Sequence, residues 1–64
     1  MKVIYREGRV LKCMYLIPNK IYEVLDTDVF EGELLYYIMD EDEENIKYNQ
    51  LTVYESWLFD IVEE

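Results

Sequence analysis

The sequence predicts an all-β fold: a small barrel of five to six antiparallel strands with at most one short helical turn. Three observations predict it. Short runs rich in Val, Ile, Leu and Tyr recur between polar breaks, a strand signature rather than a helical one. The breaks carry Gly, Asn, Asp and Pro, the residues that turns require. The strongest run, Leu34 to Met39, is apolar on both faces, as expected of a strand covered on both sides. A chain of 64 residues has room for one domain, taken as 1–64.

The strands are expected at about 2–7, 10–16, 20–26, 34–40, 45–48 and 57–62, with the helical turn near 50–56. Gly8-Arg9 between two β-rich runs signals a two-residue hairpin turn, pairing 2–7 with 10–16. In the second run Leu11, Cys13, Tyr15 and Ile17 share the more apolar face and are assigned to the core. Pro18-Asn19 ends that strand, since proline lacks a ladder donor and Asn tolerates turn conformations.

Residues 21–26 alternate imperfectly, as in a bent strand that packs on two sides of a small barrel. Residues 27–33 carry turn chemistry, and Val29 and Phe30 at this loop either fold back over a barrel end or form an exposed contact. In the next strand Tyr36 and Ile38 face inward with Val24, while Leu35, Tyr37 and Met39 form an apolar outer face. Asp40 to Glu44 reads as a solvated hairpin tip, Asn45 to Tyr48 as a short strand, and Trp57 as a lid over the barrel before the last strand.

Charge and composition narrow the function. The net charge is −9, but residues 1–20 sum to +4 and residues 21–64 to −13. Phosphate contact needs clustered Lys and Arg, so direct nucleic-acid binding is not expected. The single Cys excludes an internal disulfide, and with no His a structural zinc site is excluded too. A free thiol fits a reducing compartment, no apolar run approaches the ~18 residues of a membrane span, and the first residues lack a signal-peptide core. The expected setting is cytoplasmic.

Catalytic chemistry has little to stand on. Triads and imidazole acid–base work need His. Ser56 has no nucleophile-elbow context, and Gly8 and Gly32 are too few for a phosphate-cradling loop. The acids at 40–44 lack the glycine and the twelfth-position glutamate of a calcium loop. The expectation is a protein that is not an enzyme and carries no cofactor or metal.

From Lys20 onward the chain resembles the SH3-like barrel, in particular small bacterial and phage proteins of that architecture without an assigned function. The resemblance rests on Lys20 to Leu25, on Leu35 to Asp40 and on Leu58 to Val62, about two-thirds of the chain. Eukaryotic signalling SH3 domains carry an ALYDY-type segment, paired Trp residues at the third strand and a Pro after the fourth. Here Leu34 to Tyr37 and Asn49 stand instead, so the resemblance does not imply a groove for proline-rich peptides.

These readings converge on a small acidic protein-interaction module. Its candidate binding residues are Leu35, Tyr37, Met39, Tyr54 and Trp57, because Tyr and Trp dominate binding hot spots and an apolar outer face needs a cover. The partner is a protein or a second copy in a homodimer. The alternative is an acidic nucleic-acid mimic that occupies the cleft of a DNA- or RNA-binding protein through electrostatic steering.

Overall fold

The computed structural model describes residues 1–8 and 15–64. In chain order they form β1 (Lys2–Tyr5), β2 (Ile21–Glu23), β3 (Asp26–Phe30), β4 (Glu33–Ile38), α1 (Glu43–Tyr48), β5 (Thr52–Glu55), a 3-10 turn (Ser56–Leu58) and β6 (Phe59–Glu63). The fold is mostly β, with two antiparallel three-stranded sheets ordered β2-β1-β6 and β3-β4-β5. Five to six antiparallel strands were expected and the described residues hold six, although their ladders do not close into one barrel among the described residues.

The bend predicted for residues 21–26 is where the sheets join. Val24 N–H donates to the Met1 carbonyl at 2.9 Å, and Leu25 N–H donates to the Tyr37 carbonyl at 3.0 Å. The ladder thus passes from β1 to β4 across one peptide bond. Beyond the bend the strand continues as β3, so the segment read as a turn at 27–33 is largely strand. The turn itself is two residues, Glu31 and Gly32, with φ of 51° and 80°. A two-residue loop with both φ positive matches the right-handed strand twist, and Gly32 supplies one of those angles without a Cβ penalty. Val29 and Phe30 are exposed in β3 and do not fold back over a barrel end.

Three further expectations are corrected. Both edges of β1 are taken, by β2 and β6, which leaves it no edge for the expected hairpin partner. Arg9 of the expected turn and residues 10–14 of that expected strand, with Leu11 and Cys13, lie outside the described residues. Of its last residues, Leu16 is buried and Tyr15 and Ile17 are exposed, the reverse of the expected faces. The chain here is irregular, and Ile17 N–H is held by the Tyr22 hydroxyl at 2.8 Å instead of by a ladder partner.

Second, residues 45–48 are helical. Asp42 caps α1 by accepting Glu44 N–H, Glu43 and Glu44 lie in the first turn, Lys47 lies in the last, and Asn49 closes the helix in a left-handed conformation. Acids at the start, a cation at the end and Asn just beyond it all favour a helix. Third, residues 52–55 of the expected helical turn form β5, and the turn lies one step later, at Ser56–Leu58.

The core is Val3, Tyr5, Leu16, Tyr22, Val24, Tyr36, Ile38, Leu58 and Phe59, which includes the predicted inner residues Val24, Tyr36 and Ile38. Phe59 is its aromatic hub, with ring centroids of Tyr36, Tyr5 and Tyr54 at 6.0, 6.1 and 6.2 Å. Tilted and edge-on contacts of this kind add about 0.5–1.5 kcal/mol beyond area burial.

Candidate protein-binding face

The sheet β3-β4-β5 presents one face to the core and one outward. Its register aligns Asp26, Tyr37 and Val53 in one cross-strand row and Asp28, Leu35 and Glu55 in the next. Side chains directly opposite in a sheet share a face, so all six project outward. At the hairpin end Phe30 stands opposite Glu33 on the same face. The result is an apolar strip of Leu35, Tyr37 and Val53 with aspartates on its β3 side and Glu55 on its β5 side. Leu35 and Tyr37 are half-buried, and Val53 is 45% exposed.

The sequence-predicted residues divide. Leu35 and Tyr37 lie together on this face. Met39 follows the end of β4 and is half-buried. Tyr54 alternates to the inner face, where its ring meets Phe59 edge-on and its hydroxyl donates to Asp40 Oδ2 at 2.6 Å. It anchors the interior and does not join Leu35 and Tyr37. Trp57 lies in the 3-10 turn, 47% exposed, off the strip. Val53 was missed; its signal was the alternation Thr52-Val53-Tyr54-Glu55, which puts Val53 on the face opposite Tyr54.

The end of β4 is fixed by an acidic network read as a solvated tip. Asp40 is 2% exposed. Its carboxylate accepts from the Tyr54 hydroxyl, from Asn45 Nδ2 at 2.9 Å and from Asp42 N–H at 3.1 Å. Burial alone would raise its pKa, but these bonds and the Thr52 hydroxyl hold it below the usual carboxylate range. Glu41 accepts from Lys20 Nζ and from the Tyr22 hydroxyl, each at 2.7 Å, and both bonds lower its pKa. For Tyr22 burial pushes the pKa up, and the adjoining Glu41 carboxylate adds to the rise against the opposing Ile17 N–H.

A shallow acidic depression lined by Tyr15 and Glu41 to Glu44 adjoins this network. Among the described residues no three His, Cys, Asp or Glu side chains converge on a common metal position, and no helix is long and apolar enough to cross a membrane. Compared with known proteins, the chain matches no family model, no curated protein and no solved structure.

Proposed function

We propose that this chain is a small non-enzymatic protein-interaction module that binds its partner through the outer face of β3-β4-β5. The observation that carries this reading is the strip of Leu35, Tyr37 and Val53 bordered by Asp26, Asp28 and Glu55. Apolar surface rimmed by charge is the usual make-up of an interaction face. The rim is of one sign, so it selects a partner that offers an apolar anchor flanked by Lys or Arg. The reading includes a cytoplasmic setting, supported by the lone Cys13, and kinship with small SH3-like barrels of bacteria and phages, supported by the bent strand that joins two sheets.

The test is paired affinity purification from the native host with the wild-type chain and Tyr37→Lys as baits. The variant keeps the wild-type melting temperature within a few degrees, roughly what a change below 1 kcal/mol produces, and loses the partner. Unfolding of Tyr37→Lys would make the face a part of the core and remove the reading. A partner that survives Tyr37→Lys, dissociates steeply with salt and is displaced by nucleic acid would favour the phosphate-mimic alternative.

A further inference from the structure

The two outer edges of the β3-β4-β5 sheet are finished differently. In an antiparallel ladder alternate residues turn their backbone N–H and C=O away from the neighbouring strand. The two-residue turn makes Phe30 and Glu33 a hydrogen-bonded pair, so Asp28 with Leu35 and Asp26 with Tyr37 are bonded pairs too. Thr27 and Val29 therefore point their N–H groups out of the sheet edge. Each is already taken: Asp26 Oδ1 accepts Thr27 N–H and Asp28 Oδ1 accepts Val29 N–H, both at 2.8 Å. The carboxylates occupy the donors and set negative charge along the edge.

The opposite edge carries no such cap. With Tyr36 opposite Tyr54 and Ile38 opposite Thr52 bonded to each other, Val53 and Glu55 turn their N–H groups outward from β5. No side chain among the described residues caps Val53 N–H, and Leu51, Val53 and Glu55 are all exposed. Open edges are templates for a further strand.

We propose that β5 pairs antiparallel with β5 of a second copy, about a two-fold axis through Val53. The register suits itself. Val53 meets the second copy's Val53, Leu51 meets Glu55, and Thr52 meets Tyr54, so no like charges stand opposite each other. The outer face then runs without a break as Asp26, Tyr37, Val53 and the same three residues in reverse order. Apolar groups fill its centre and aspartates its two ends. The six-stranded sheet ends on β3 at both sides, where Asp26 and Asp28 stop a third copy, so growth closes at the dimer. A contact of one short strand is small, which fits a weak, concentration-dependent dimer. Partner binding by the face does not depend on it, since a monomer carries the same strip.

The experiment is sedimentation equilibrium of the purified, reduced chain from about 10 μM to 1 mM, at ionic strengths of roughly 0.01 and 1 M. The wild type dimerises, and more so at high salt because two chains of net charge −9 repel. Val53→Pro removes the outward N–H and replaces the isopropyl group at the two-fold axis, at a position where an edge strand tolerates proline, and weakens the dimer by about tenfold or more. Amide exchange keeps the test decisive should that variant not fold. In the wild type the Val53 and Glu55 amides gain protection as concentration rises, while Thr52 and Tyr54 are protected throughout. A monomer at every concentration and salt overturns the proposal, and so does a dimer whose newly protected amides lie outside 51–55.

Discussion

The acids just after β4 and those on the strand beside it are used in opposite ways. Just after β4 Asp40 is buried and ties β5, through Tyr54, to α1, through Asn45 and Asp42 N–H. Along its β3 side the hairpin is exposed over the whole of β3, and the Asp26 and Asp28 side chains, opposite Tyr37 and Leu35, accept the backbone N–H of the next residue. The contrast teaches that an aspartate's role follows from which donors it reaches. Donors from two separate elements make a carboxylate a keystone of the interior. A donor one residue away makes it a guard on an edge.

Removing the keystone has the largest expected effect. Asp40→Ala removes the acceptor shared by the Tyr54 hydroxyl, the Asn45 amide and Asp42 N–H, and urea unfolding should show a loss of about 2–4 kcal/mol. A domain of this size has roughly 3–10 kcal/mol in all, so the variant is largely destabilised. A loss below about 0.5 kcal/mol would mean that Asp40 holds nothing that water cannot. The same group sets an acid limit. Because its folded pKa is lowered, its contribution is complete above the unfolded value, near 3.9, and disappears as pH falls through the folded value. Wild-type stability should therefore fall below about pH 4, and Asp40→Asn should fall less steeply over that window.

Tyr22 sets the alkaline limit. Its folded pKa is raised, so the unfolded chain ionises first and stability declines above about pH 10. In Tyr22→Phe that decline should be blunted when melting temperatures are followed from neutral to alkaline pH. Asp42→Ala removes the cap of α1 and should cost about 1 kcal/mol in the same urea assay, with reduced helical circular dichroism. The smallest stability effect is expected at the guards. Asp26→Ala with Asp28→Ala should leave unfolding within about 0.5 kcal/mol of wild type. It should nonetheless raise light scattering at high concentration, because it frees the Thr27 and Val29 donors. No added scattering would show that charge elsewhere already protects this edge.

The fold class, the bent strand at 21–26 and the inner residues Val24, Tyr36 and Ile38 were legible because period-two alternation reports directly on sheet faces. The helix at Glu43–Tyr48 was hidden by the acids that build it. A run of five carboxylates looks like a repelling, solvated tip until one of them becomes a cap and two more its first turn. The pairing of β1 was hidden for another reason. A Gly-X hairpin signal is local, whereas β2 and β6 reach β1 across long stretches of chain, and local signals cannot weigh that competition. At the candidate face Leu35 and Tyr37 were visible as an apolar side of β4. Tyr54 was misread as a surface anchor because aromatic type alone does not reveal which face a residue takes, and the partner that holds it, Asp40, had been read as solvated.

The splice at Val24 and Leu25 has a consequence for how the molecule comes apart. Two successive amides serve the two sheets, Val24 N–H bonded to Met1 on one side and Leu25 N–H to Tyr37 on the other. Neither sheet can lose that strand without unravelling the border of its companion. The two sheets should melt as a single cooperative unit, with coincident transitions whether followed by the aromatic signal of Phe59 and its tyrosine neighbours or by backbone circular dichroism. The methionine at the first position, whose carbonyl receives Val24, is thereby a structural member of the joint.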